Sequence, residues 1–199
     1  MDINSLSYRI KYRADNKTYI ATADKCEHFS LETAFENGVL TTTLHPKTAV
    51  SFLSFDIVTP YAFKDSDRIF VNGYQSWTDS LEYAPSEKMS ELSRLTEFIT
   101  TKTYVKNIGL PKSGDSLFWK YPRKSGIFYG WSYGYVRNGN NVDIFGTLNE
   151  RYGYTVVTFN CRDNNVIISK DLEGVTYDKD SKLLEFTKVS GEYDTAFDE

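Results

Sequence analysis

The sequence predicts an all-β protein, a large antiparallel β-sandwich with at most one or two short helices. Apolar and polar residues alternate with a period of two in segment after segment, which is the pattern of half-buried strands. Turn signals such as Asn37-Gly38 recur between these segments. The chain also carries 15 Tyr and 13 Phe among 199 residues, and aromatic residues favour strands over helices.

Each predicted strand rests on its own alternation or apolar run. The segment 50–58 is nearly continuous in apolar residues, which indicates a strand covered on both faces. One helix is predicted at 86–99, where Met89, Leu92 and Phe98 share a stripe. The predicted strands are 6–12, 29–35, 39–44, 50–58, 68–71, 127–135, 142–148, 154–159, 166–169 and 183–189.

Composition and charge indicate which partners and which cellular compartment to expect for this chain. The formal net charge is −4 with interspersed signs, so the chain offers no basic field for a phosphate backbone, and we expect no nucleic-acid partner. The N-terminal segment lacks the apolar run of a signal peptide, and no other segment is long and apolar enough to span a membrane. Cys26 and Cys161 stand far apart and predict buried thiols in a reducing compartment. We therefore expect a cytoplasmic protein.

Motifs for independent chemistry are missing from the sequence. His28 and His45 lie at no metal-ligand spacing from another His or Cys, and a satisfied or exposed role is the expectation for both. There is no G-x-S-x-G elbow, Walker A sequence or G-x-G-x-x-G motif. We predict no metal, no cofactor and no catalytic residue. A catalytic pair of carboxylates that face each other across a cleft remains an alternative, because the spacing of acids in strands cannot show which of them face each other.

The segment 72–80 is the most informative part of the chain. It follows a short strand and places Asn72, Tyr74, Gln75, Trp77 and Asp79 in what the pattern predicts is a solvated loop. An aromatic ring can cover the apolar face of a sugar while amide and carboxylate groups bind its hydroxyls, so these five are the predicted substrate-binding residues. The alternative is that Trp77 folds back to close one end of the sandwich, while Asn72 and Asp79 satisfy turn amides.

A second aromatic group follows later in the chain. Alternation predicts that Tyr129, Trp131, Tyr133 and Tyr135 share one face of a single strand. Core packing is the expected role of that face, with a sugar-binding platform as the alternative. The wider group comprises Trp119, Tyr121, Phe128, Tyr129, Trp131, Tyr133 and Tyr135.

The run from Asn72 to Ser80, together with Gly130-Trp131-Ser132-Tyr133-Gly134-Tyr135, resembles the N-terminal domain of glycoside hydrolase family 36 α-galactosidases. The resemblance spans most of the chain, and its specific part is the first run. It implies a β-supersandwich over 1–190 and, at 191–199, the start of a connector to a (β/α)₈ catalytic domain. Retaining hydrolysis of terminal α-galactosides would then use two aspartates of that barrel, neither of them in this chain.

By the same resemblance, Trp77 reaches towards the galactose pocket, sometimes across a subunit boundary. The implied partners are the catalytic domain of the same parent chain, an α-galactoside or related sugar, and other subunits of a homo-oligomer. Two other hypotheses stay open. A free-standing carbohydrate-binding module needs Trp77 or Trp131 on a surface platform, and an independent enzyme needs two facing carboxylates with separated proton affinities.

Overall fold

A computed structural model describes residues 1–73, 80–89, 124–172 and 174–194. It confirms the predicted all-β class: two antiparallel sheets of seven strands each form a sandwich. One short 3₁₀ helix, Ile3–Ser5, precedes the first strand. Within the described residues there is no helix long and apolar enough to cross a membrane.

Fourteen strands are present in the described part of the chain. In order they are β1 Ser7–Ala14, β2 Lys17–Ala21, β3 Phe29–Glu36, β4 Val39–Pro46, β5 Val50–Pro60, β6 Arg68–Val71, β7 Leu81–Tyr83, β8 Ile127–Trp131, β9 Tyr133–Asn138, β10 Asn141–Thr147, β11 Thr155–Asn160, β12 Asn165–Lys170, β13 Thr176–Tyr177 and β14 Ser181–Glu192.

The strands are divided between the sheets by long-range pairing. The first sheet has the order β2-β1-β5-β12-β11-β8, with β13 also paired to β5. The second has the order β3-β4-β14-β10-β9-β6-β7. Neighbouring strands in both are mostly distant in sequence, so the sandwich forms only when the whole chain is assembled.

The core lies between the sheets and is rich in aromatic rings. Edge-to-face contacts join Phe29 to Phe52 and Phe52 to Phe55, with ring centroids 5.8 and 5.4 Å apart. Such pairs add about 0.5–1.5 kcal/mol each to the burial of their area. The fully buried phenylalanines are Phe29, Phe52, Phe55, Phe128, Phe145, Phe159 and Phe186.

The prediction of one strand over 127–135 is wrong. The chain leaves the first sheet after Trp131 and enters the second at Tyr133, and Ser132 between them has a φ of 66°. A positive φ in a non-glycine residue reverses the local course of the backbone. Tyr129 and Trp131 therefore belong to a different sheet from Tyr133 and Tyr135, and the four do not share a face.

The predicted helix is not seen where the structure can be compared with it. Residues 86–89 form a turn and irregular backbone, and Met89 packs into the core and accepts a hydrogen bond at its sulfur from the Tyr129 amide at 3.2 Å. Residues 90–99 lie outside the described residues.

Several of the loops that connect strands lie at one end of the sandwich, together with the described ends of the segment 72–80. Strands β6 and β8 end there, β9 and β11 begin there, and Ser132 receives a bond from Thr147 and gives one to Thr155, at 2.8 and 2.9 Å. We call this the loop end. It comprises Asp15–Asn16, 46–50, 72–73 and Ser80, Ser132, 148–154 and 171–176.

Candidate functional site

Asn72 fixes the start of the predicted sugar-binding segment. Its carbonyl accepts a hydrogen bond from the Trp131 amide, and its side-chain nitrogen donates one to the Trp131 carbonyl, both at 2.9 Å. One residue on, the Gly73 amide donates to Oγ of Ser80 at 2.9 Å. Both ends of the segment are therefore held by hydrogen bonds, and the side-chain amide nitrogen of Asn72 is engaged with Trp131.

Gly130 allows β8 to come close to the root of the segment 72–80. We use the word root for Asn72, Gly73 and Ser80, the described residues at its two ends. A Cβ atom at this position would lie 2.7 Å from the Asn72 nitrogen and 2.9 Å from its oxygen. Real Cβ atoms essentially never come that near to backbone, so only glycine fits without moving the root.

The other predicted sugar-binding residues, Tyr74, Gln75, Trp77 and Asp79, lie outside the described residues. The structure therefore places Asn72 at the loop end and leaves their roles as predictions. Trp119 and Tyr121 of the second aromatic group also lie outside the described residues.

A buried polar network lies directly behind the root. Ser132 Oγ donates to Oε1 of Glu150 at 2.9 Å, and Thr155 Oγ1 donates to the other oxygen at 3.0 Å. Lys170 Nζ lies 3.2 Å from the same Oε2, with its side chain only 1% exposed. Burial lowers the pKa of Lys170, and the Glu150 carboxylate opposes that change.

This network joins the two sheets. Glu150 lies in the connection from β10 to β11, Ser132 lies in the connection from β8 to β9, and Lys170 ends β12. The Lys170 ammonium is buried, whereas the Glu150 side chain is 28% exposed. Loss of Glu150 would leave the buried ammonium without its carboxylate partner, so the pair holds these connections relative to each other. The sequence alone could not indicate this network, because Ser132 and Lys170 lie 18 and 20 residues from Glu150.

Four exposed apolar side chains lie at the loop end. Leu81 is 48% exposed, Tyr133 39%, Leu148 54% and Tyr154 56%. The strand register shows where three of them lie. Leu81 pairs with Val71, the residue before Asn72. Tyr133 precedes Gly134, the other partner of Val71, and it pairs with Gly146, two residues before Leu148. We call these four residues the apolar rim. Large apolar residues concentrated at one end of a protein are typical of an interaction surface.

The exposed ring of Tyr133, one of the four rim residues, stacks on a neighbouring aromatic ring. Its ring stacks on Phe70 with centroids 6.0 Å apart and an interplanar angle of 29°, and Phe70 stacks in turn on Tyr135 at 4.8 Å and 11°. Tyr135 donates a hydrogen bond to Glu82 at 2.8 Å, and burial together with that bond raises its pKa. The outermost ring is thus held rigidly.

The carboxylates whose pKa clearly departs from the usual value are ionised at neutral pH. Hydrogen bonds from Arg137, with burial opposing them, hold the pKa of Glu82 below its usual range. Burial opposes ionisation of Asp143, but hydrogen bonds from Ser190 and Tyr61 outweigh it and lower its pKa. Neither carboxyl is suited to donate a proton as a general acid near pH 7.

Histidines and cysteines take structural positions. His28 is buried, with Nδ1 3.0 Å from the Tyr12 hydroxyl and Nε2 3.5 Å from Asp15. Both cysteines are free thiols, and burial raises the pKa of Cys161 to about 12. In the described ranges, no three His, Cys, Asp or Glu residues come together as metal ligands.

Comparison with known proteins identifies no family for this chain: it matches no protein-family model and no curated protein.

Proposed function

We propose that this chain is the non-catalytic N-terminal domain of an α-galactosidase-type glycoside hydrolase. In this proposal Trp77, with Asn72, Tyr74, Gln75 and Asp79, contributes to binding of terminal α-galactosides. The loop end packs against a (β/α)₈ catalytic domain of the same parent chain, which supplies both catalytic aspartates. With its two free thiols, the protein is proposed to be cytoplasmic.

The observation that carries the proposal is the position of the apolar rim. Leu81 and Tyr133 of the rim lie beside the root of the one segment that the sequence singles out for sugar contact, and Leu148 and Tyr154 lie at the same end of the sandwich. A domain that packs beside a substrate pocket needs an apolar surface next to the residues that reach into that pocket. An apolar rim around Asn72 meets both requirements at the same end of the sandwich.

The test is Trp77→Ala in the full-length gene product, assayed with an aryl α-galactoside. A ring that contacts the sugar contributes binding energy, so we expect kcat/KM to fall at least about tenfold, which corresponds to about 1.4 kcal/mol. Trp131→Phe serves as the control, because Trp131 is buried in β8 and is not proposed to contact sugar. Unchanged KM and kcat in Trp77→Ala would remove Trp77 from the site.

A carbohydrate-binding module is the second candidate, and the supported ring of Tyr133 favours it. An exposed ring on a stacked aromatic base is a suitable platform for a sugar face. The two candidates differ in what the isolated chain does. A module binds oligosaccharides alone and loses that binding in Tyr133→Ala, whereas the proposed enzyme domain needs its catalytic partner to complete the galactose pocket.

A further inference from the structure

An open surface depression of about 390 Å³ lies at the loop end, near the opposite edge of the first sheet from Asn72. We call this depression the cavity. It is formed where the β1–β2 turn meets the start of β5 and the short strand β13. From β8 to β1 the first sheet has four strand spacings of about 4.8 Å, so the cavity is about 19 Å or more from the root of the segment 72–80. It is therefore a separate site. Its polar lining includes Arg13, Asp15, Asn16, Thr48, Ser51 and Thr176.

The lining combines hydrogen-bond donors and acceptors that are held by the fold. Asp15 and Asn16 occupy the hairpin turn with φ of 48° and 60°, a backbone geometry that suits a tight two-residue turn after β1. The Asp15 carboxylate is also tied to the buried His28, whose ring is bound in turn by the Tyr12 hydroxyl. The acceptor side of the cavity is thus a largely exposed carboxylate with a contact, 3.5 Å long, to His28.

The donor side is a guanidinium that has no protein partner. Within the described part of the chain, Arg13 makes no ion pair or side-chain hydrogen bond, although Asp15 is only two residues away. Ser51 lies directly opposite Arg13 in the β1–β5 register, and Thr176 lies opposite Ser51 in the β13–β5 register. One guanidinium and two hydroxyl-bearing residues therefore lie on neighbouring strands, beside a carboxylate and an amide.

We infer that this cavity binds a neutral saccharide unit. Vicinal hydroxyls of a sugar both donate and accept, so they can donate to Asp15 and accept from Arg13 and Asn16 at the same time. A simple anion uses only the donors and is repelled by the Asp15 carboxylate. The inference stands on the cavity itself and does not require the function proposed for Trp77.

The experiment is amide NMR of the 199-residue chain titrated with raffinose, maltotriose and, as an anion, citrate. We expect at least one neutral sugar to shift the amides of Asp15, Asn16, Ser51 and Thr176, and to shift them equally in Trp77→Ala. No shift of these amides with any neutral sugar, or shifts with citrate alone, would overturn the inference.

Two matched variants test the lining. Asp15→Asn keeps a residue that tolerates the positive φ of the turn, and we expect it to raise the dissociation constant of the sugar at least about tenfold. Arg13→Gln should do the same, while Arg9→Gln, on the same face of β1 but outside the cavity, should leave it unchanged. Equal affinity in wild type, Asp15→Asn and Arg13→Gln would contradict the assignment.

Discussion

Gly130 shows how a single residue positions the candidate site. Because it has no side chain, the backbone of β8 can exchange two hydrogen bonds with Asn72 at 2.9 Å. The sequence alone could mark Asn72 as the start of an unusual loop, but it could not show that Trp131, 59 residues later, holds it.

Substitution of Gly130 by Ala should therefore displace the root of the segment 72–80. We expect the free energy of unfolding to fall by about 1–3 kcal/mol, since the new methyl group meets backbone atoms that cannot rotate away. Urea denaturation measures the loss, and amide shifts of Asn72 and Gly73 report the displacement.

Gly146→Ala is the matched control for that variant. A Cβ there would lie 3.3 Å from the Cβ of Tyr133, a contact that a small movement relieves. If both alanine variants lose the same stability and leave the Asn72 amide in place, the close approach of β8 does not position the loop.

At the scale of the strands, His45 links three separate elements. It lies in β4, its Nε2 is 3.2 Å from Glu32 of β3, and its Nδ1 is 2.9 Å from Asp180, just before β14. Hydrogen bonds to Asp180 and to Glu32 raise the pKa of His45 above its ordinary value of 6.5. The charged imidazolium thus stabilises the folded state.

This linkage predicts the direction of a pH effect. Because the folded-state pKa is the higher one, the contribution of His45 is fully present below pH 6.5 and is lost as the pH rises through the folded-state value. The thermal midpoint of the wild type minus that of His45→Asn should therefore decrease as the pH rises. The difference should be small and should shrink in salt, because the imidazole and both carboxylates are exposed. A difference that is constant or grows with pH would contradict the assignment.

The sequence predicts strands correctly where apolar and polar residues alternate and the apolar ones are buried. It fails where a strand lacks that alternation or where the alternation continues through a corner. The segments 39–44 and 166–169 lie within β4 and β12. Strand β2, an edge strand of five residues with mostly exposed side chains, gave no apolar alternation to detect. At Ser132 alternation continues unbroken through a change of sheet, so the period of two could not reveal the corner.

At the scale of the whole molecule, one end of the sandwich combines the features on which the two proposals rest. The loop end contains the root of the segment 72–80, the apolar rim, the buried pair of Lys170 and Glu150, and the polar cavity. The buried pair stiffens the scaffold behind the rim, and a rigid scaffold is what a binding surface on loops requires. The sequence predicted the sandwich and the position of Asn72, whereas the rim and the cavity arise from strands that are distant in the chain.

The C-terminal part of the described chain stays attached to the sandwich. Strand β14 continues to Glu192, beyond the predicted domain boundary at residue 190, and the Tyr193 ring packs edge-to-face on Tyr135 with centroids 5.7 Å apart. Arg137 lies over the same Tyr193 ring at 5.0 Å. These contacts anchor the last described residues to the outer face of the second sheet.

The most direct test of the proposed docking is hydrogen–deuterium exchange on the 199-residue chain and on the full-length gene product. We predict slower exchange in the full-length protein for amides at the apolar rim, namely Leu81, Tyr133, Leu148 and Tyr154. The turn amide of Asn164, away from the loop end, should exchange equally in both. Equal exchange at the rim in the two proteins would show that no domain covers it and would contradict the proposed packing against a catalytic domain.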